Sequence, residues 1–168
     1  MGMFAFFKKI TVLKSQLRPS LYDYEVQKLD GTTVPMSLYK NKVLLIFNSA
    51  SKCGLTKNHV KQFNDLYERL HGKGLEEFQN SCDIRAFNEQ KNIKYEVFAP
   101  VEVNGDNTHE LFKYLKANCD TMHNADGTLE NIGWNFGKFL INKEGQVVAY
   151  FSPRINPLDL ENHIMQLL

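Results

Sequence analysis

Cys53 stands in Asn48-Ser-Ala-Ser-Lys-Cys-Gly-Leu-Thr56, directly behind the apolar run Val43–Phe47. A lone cysteine between the end of a buried strand and a following helix is a reactive-thiol arrangement. The orphan N–H groups and positive dipole end of a helix beginning near Lys57 favour an anionic sulfur, and Lys52 and Lys57 add positive charge. The thiolate is the form that attacks the O–O bond of a peroxide, giving a sulfenic acid and expelling hydroxide or an alkoxide. The leaving oxygen needs hydrogen-bond donors. Far downstream, Gly133-Trp-Asn-Phe-Gly-Lys-Phe-Leu140 holds the single tryptophan of the chain. Trp134 offers a donor-only indole N–H and Asn135 an amide NH₂. If the strand starting at Asn135 lies beside the one ending at Ser51, both donors reach the sulfur, where they stabilise developing charge. An isolated cysteine is more often a small core hydrophobe, and a lone tryptophan before a strand is more often packing. The joint occurrence of both segments, in this order and on these elements, selects the catalytic reading.

The elements that must position these residues follow from periodicity. Tyr22-Asp-Tyr-Glu-Val-Gln-Lys-Leu29 alternates with period two, Asp30-Gly31 supplies a turn and Thr32–Met36 returns, which predicts a hairpin. Lys42–Asn48 reads as a strand buried on both faces. Residues 57–72 place Val60, Phe63, Leu66, Tyr67 and Leu70 at helical spacing, with Gly72 and Gly74 as stops. Asp83–Gln90 predicts a helix, Tyr95–Val103 an extended segment and His109–Ala117 a further helix. Phe136–Asn142 and Gln146–Phe151 form a second hairpin around Lys143-Glu-Gly145, and Pro157 opens a last helix. Strands alternating with helices give an α/β fold. A βαβ half followed by a ββα half is the thioredoxin-like arrangement, a central mixed sheet flanked by helices, here with an N-terminal hairpin.

At 168 residues the chain is expected to hold one domain, residues 20–168, behind a tail of residues 1–19. Lys8, Lys9, Lys14 and Arg18 with no acidic residue make the tail resemble a targeting remnant, or equally a short amphipathic lead into the first strand. Twenty basic against nineteen acidic residues leave a net charge of +1, which argues against a nucleic-acid surface. Cys53, Cys82 and Cys119 show neither a CxxC nor zinc-type spacing, so a metal centre and a disulfide-stapled scaffold are both disfavoured. A reducing compartment with one or two working thiols fits better. The aspartates and His123 of the 120–132 stretch read as a solvated loop, and no stretch approaches the roughly 20 apolar residues of a membrane span.

The two motifs together resemble the active site of the non-selenium, cysteine-type glutathione peroxidase family. The similarity spans roughly residues 20–168 and includes Lys73-Gly-Leu-Glu76, the stretch from Val101 to Leu115, Phe151-Ser-Pro153 and Asn156-Pro-Leu-Asp-Leu-Glu161. In that family a Cys, a Gln, a Trp and an Asn form the peroxide site, and Cys53, Trp134 and Asn135 match three of them. Family members follow Gly-Leu-Glu with an apolar strand, a proline-containing loop and a segment that carries the Gln. Here Gly74-Leu-Glu76 runs into Glu77-Phe-Gln-Asn-Ser-Cys-Asp-Ile84, in which Phe78 is the one large apolar residue before Ile84. The resemblance therefore implies an internal deletion of about one strand and a turn. The expected sheet lacks one parallel strand beside Lys42–Asn48, or rebuilds it from residues 75–82. Gln79 is the candidate replacement for the missing Gln, against the plainer reading of a loop residue.

In two-cysteine members a second cysteine attacks the sulfenic acid, and thioredoxin reduces the resulting disulfide. Cys82 is the corresponding candidate here, against a cap-region cysteine with no redox partner. Cys119 reads as structural or as an exposed thiol. The resemblance implies a thiol-dependent, antioxidant peroxidase acting on hydrogen peroxide and organic or lipid hydroperoxides, with no cofactor beyond a thioredoxin-like or glutathione reductant. A cytoplasmic monomer is the default, with an organelle the alternative. The competing function is a catalytically impaired family member that senses redox state or binds a partner. A disulfide reductase is disfavoured because Cys53-Gly-Leu-Thr56 lacks the second cysteine of a CxxC.

Overall fold

The computed structural model describes residues 8–82 and 92–168, with side chains omitted at 80–82. The helix expected over Asp83–Gln90 lies outside the described residues. The first hairpin forms from β1 (Glu25–Gln27) and β2 (Thr33–Pro35), with Val26 opposite Val34 and both buried. The main sheet has five strands in the order β5-β4-β3-β6-β7. They are β3 (Val43–Ala50), β4 (Leu75–Cys82), β5 (Glu96–Phe98), β6 (Lys138–Ile141) and β7 (Val147–Phe151). Strands β3, β4 and β5 run parallel, whereas β6 pairs antiparallel with β3 and β7 antiparallel with β6.

Alternation along β3 decides which helix covers which face. Val43, Leu45 and Phe47 meet Phe63, Leu66 and Leu70 of α1 (Thr56–Leu70), together with Leu160 and Ile164 near the C-terminus. Leu44 and Ile46 point the other way, toward Leu111, Phe112 and Leu115 of α2 (Glu110–Ala117). A 3₁₀ turn over Pro157–Leu160 leads into α3 (Glu161–Met165). At the far end of α1, Gly74 takes a left-handed φ of 110° that reverses the chain into β4, a conformation glycine adopts without steric penalty. This mixed sheet between helices is the thioredoxin-like architecture.

Of the two expected sheets, the one that rebuilds the strand from residues 75–82 is the one present, with no gap beside β3. Residues 75–82 are a full strand, paired with β3 over every position from Val43↔Leu75 to Ala50↔Cys82, and with β5 on its other side. Composition conceals it because β4 presents Glu77 and Gln79 to the α1 face, where Leu75 is the apolar residue. A strand with neighbours on both sides satisfies its backbone whatever its side chains, and here that outweighs a weak pattern. The N-terminal stretch also differs from a free tail. Val12 and Leu129 pack with Ala117, and Ile10 and Leu17 lie against them. Leu129 N–H donates to the Ile10 carbonyl at 2.8 Å, and Val12 N–H to Gly127 at 3.2 Å. Among the described residues no helix is long and apolar enough to cross a membrane.

Candidate active site

The site forms where the C-terminal end of β3 meets the segment entering β6. Beyond Ala50 the chain turns through Ser51–Leu55 into α1. Thr56 locks this turn from below: its hydroxyl donates to the Ala50 carbonyl at 2.6 Å, and its N–H donates to the Cys53 carbonyl at 3.0 Å. Cys53 is thereby held one turn before the helix, half-buried against the α1-face core, with Lys57 exposed nearby in the first turn of the helix. Cys53 and Cys119 are free thiols among the described residues.

From the other side the Trp134 indole N–H points at the sulfur, with Nε1 3.3 Å from Cys53 Sγ. Residues 81 positions apart in sequence are brought into contact because β6 lies beside β3, with Phe47 opposite Lys138. The indole remains 44% exposed, so the sulfur is reachable from solvent along its edge. Asn135 follows in the same turn and is half-buried, but the group that reaches Sγ here is the indole. An aromatic N–H facing a half-buried sulfur stabilises negative charge there, and can likewise donate to an oxygen leaving from it.

Gln79 is not brought to the sulfur. It sits 1% exposed beneath α1, opposite Phe47, and its amide oxygen accepts from the Tyr95 hydroxyl at 3.2 Å. Three strand positions, roughly 10 Å at the usual rise, separate it from the strand end at Cys82. Cys82 fares differently: its backbone pairs with Ala50, at the same end of the sheet as the Cys53 turn, while its side chain lies outside the described residues. Cys119 is buried, its sulfur 3.4 Å from the Thr121 hydroxyl.

Three buried polar side chains around the site had no role assigned from sequence. Asn48 and Lys138 lie inside the two motifs, and His59 lies in the first turns of α1. Burial, and secondarily Lys138, hold the His59 imidazole below its usual range. The neutral ring donates Nε2–H to the Pro153 carbonyl at 3.1 Å, and its Nδ1 has no partner among the described residues. A sequence signal did exist for the other two. A polar residue closing an apolar strand run, and a lysine in Phe-Gly-Lys-Phe-Leu, must find partners if those strands are buried. No cluster of three or more His, Cys, Asp or Glu side chains suited to a metal ion occurs among the described residues.

A half-exposed cysteine before a helix, at the C-terminal end of the central parallel strands of this sheet, defines a thioredoxin-fold thiol protein. A "thioredoxin family" thiol:disulfide interchange protein from Chlorobium tepidum shares the fold, with a TM-score of 0.66 at 15% identity over 89% of this chain and 97% of that one. The family model described as glutathione peroxidase matches residues 21–116. A tomato (Solanum lycopersicum) protein named probable phospholipid hydroperoxide glutathione peroxidase is 38% identical over 162 residues, covering 89% of this chain and 93% of the relative. The apo crystal structure of Trgpx superposes with a TM-score of 0.74 at 29% identity, over 89% of this chain and 96% of that one. The chain belongs to the glutathione peroxidase family.

Proposed function

We propose that this protein reduces hydrogen peroxide and organic or lipid hydroperoxides through Cys53, and that the Trp134 indole N–H, 3.3 Å from the sulfur, is the observation that carries the assignment. Peroxidase chemistry is what family membership brings, and the names of relatives such as the tomato protein include phospholipid hydroperoxides. The Cys53 thiolate attacks one peroxide oxygen. An S–O bond forms as the O–O bond breaks, and the departing hydroxide or alkoxide takes up a proton to leave as water or alcohol. Sulfur is oxidised by two electrons to the sulfenic acid. Trp134 donates to the anionic sulfur before attack and to the leaving oxygen during it, with Asn135 next in the turn as the second donor. The open setting of the sulfur beside a half-exposed indole suits bulky hydroperoxides as well as small ones.

Cys82 is the resolving thiol in this reading. Its thiol displaces water from the sulfenic acid to form a Cys53–Cys82 disulfide, which a thioredoxin-like dithiol, or glutathione, returns to two thiols while itself becoming oxidised. The register supports this, because Cys82 ends β4 beside Ala50, three residues before Cys53, and a disulfide needs Cα atoms within about 7 Å. The functional unit is residues 20–168, acting without metal or prosthetic group. A monomer is the default reading, because the 120–132 stretch is short and polar, unlike a large apolar interface. Free thiols suit a reducing compartment, the cytoplasm or an organelle of similar redox state.

Stopped-flow oxidation of the reduced protein by hydrogen peroxide, with free thiols counted, tests the whole scheme. Loss of two thiols per chain, abolished by Cys53→Ser and reduced to one by Cys82→Ser, is the expected result. Oxidation of Cys53 no faster than that of a free cysteine would overturn the enzymatic reading in favour of an impaired, redox-sensing family member. Two thiols lost from Cys82→Ser would remove Cys82 from the cycle.

A further inference from the structure

Asn48 and Lys138 take no part in the chemistry above, yet both end on the turn Trp134–Gly137. Asn48 closes the apolar run of β3 and is 8% exposed. Its Oδ1 accepts the Gly137 N–H at 3.0 Å, its Nδ2 donates to the Trp134 carbonyl at 3.3 Å, and its own carbonyl accepts the Phe136 N–H. Lys138 is fully buried. Its Nζ donates to the Phe136 carbonyl at 2.7 Å and to the Ser152 carbonyl at 3.1 Å. Lys138 stands opposite Phe47, and Phe47 points to the α1 face. Asn48, one residue further along β3, therefore projects from the opposite face. The turn is gripped from both sides of the sheet.

Such a grip answers a specific need. Phe136 holds a left-handed φ of 73°, a conformation unfavourable for a bulky residue that persists only where its surroundings over-determine it. The turn also has no slack beneath it. A Cβ at Gly137 would stand 2.7 Å from both Ile132 Cγ2 and the Tyr150 hydroxyl oxygen. The Trp134 ring, by contrast, is half in solvent, so core packing alone does not set its direction. The sulfur is fixed independently through Thr56. What aligns the two groups is the backbone of the turn, and a misplacement of about 1 Å can cost a reaction roughly 100-fold.

We propose that Asn48 and Lys138 are positioning residues that hold the Trp134–Gly137 turn and so aim the Trp134 indole N–H at Cys53 Sγ. The proposal rests on the catalytic reading of Cys53 and Trp134. Asn48 is the more demanding member, since an amide alone supplies both the donor and the acceptor that the turn requires. Lys138 needs two donated hydrogens, which either an amine or an ammonium provides, so its grip is independent of its protonation.

The test is a double-mutant cycle read as the second-order rate constant for oxidation of Cys53 by hydrogen peroxide. It uses the full chain and its Asn48→Ala, Trp134→Phe and doubly substituted forms. Asn48→Ala alone is expected to slow oxidation about tenfold, and to slow it no further once Trp134 is already Phe, because there is no longer an indole to aim. The fluorescence change of the single tryptophan on oxidation is expected to shrink in Asn48→Ala. Equal losses in both backgrounds would make Asn48 a general structural residue and overturn the proposal, as would no loss at all. An unchanged rate in Trp134→Phe alone would instead defeat the catalytic reading itself, and the proposal with it. Should Asn48→Ala fail to fold, the same cycle with Lys138→Met, which keeps the length of the side chain, carries the same two outcomes.

Discussion

The two neighbours of β3 follow opposite rules. On the β6 side four polar side chains near the site have named partners: Asn48 and Lys138 bind the turn, Thr56 binds the cysteine loop, and Trp134 binds the sulfur. On the β4 side polar groups are buried with little to meet. Both carboxyl oxygens of the fully buried Glu77 lack a hydrogen-bond partner among the described residues, and Gln79 accepts from the Tyr95 hydroxyl. One side spends polar residues on alignment, whereas the other tolerates them because backbone pairing to β3 and β5 holds the strand in place. Geometry near the reacting atom is specified closely, while a strand buried by its neighbours need only be extended.

The sharpest break in that contrast is Trp134→Phe against Gln79→Leu. Removing the indole N–H is expected to lower the peroxide rate constant by about 10- to 100-fold with little change in stability, because one donor to developing charge is lost. Gln79→Leu is expected to leave that rate constant unchanged. Its cost falls on stability, about 1–2 kcal/mol in a denaturant titration, as the Tyr95 hydroxyl loses its partner. A rate loss in Gln79→Leu as large as that in Trp134→Phe would return Gln79 to the site and erase the difference between the two sides.

Glu77 sharpens the comparison from the stability side. Burial raises its carboxyl well above the usual range, with Glu76 adding to the effect, so the folded state keeps it protonated. A raised folded value means its contribution to stability is fully present below the unfolded value, near pH 4.3. That contribution is then lost as pH rises toward the folded value. Glu77→Leu is expected to raise stability at neutral pH by about 1–3 kcal/mol and to flatten that decline. Thermal denaturation from pH 4 to 8 reads both, and an unchanged slope would mean Glu77 finds a partner in solution. Lys138 gives the opposite trend. Burial pushes its ammonium down to about 7, so stability is expected to rise from pH 7 toward 10, and Lys138→Met to remove that rise.

Much of the molecule was legible in its residues. The run Val43–Phe47, the heptad-like spacing of Val60, Phe63, Leu66 and Leu70, and the hairpin around Lys143–Gly145 each announce an element by period alone, and each is where it was expected. The pairing of Cys53 with Trp134 was legible too, since two separated motifs each supply a group whose chemistry needs the other. Strand β4 was not legible beyond being one of two alternatives, because Glu77 and Gln79 stand where an apolar pattern would have signalled burial. Nor were the roles of Asn48 and Lys138, whose residue types say only that partners must exist. Local sequence determines period, turn and chemical kind, because those depend on neighbours along the chain. Which buried amide meets which carbonyl, and whether a polar strand is held between two others, depends on residues roughly 18 to 97 positions away, and only the folded sheet decides it.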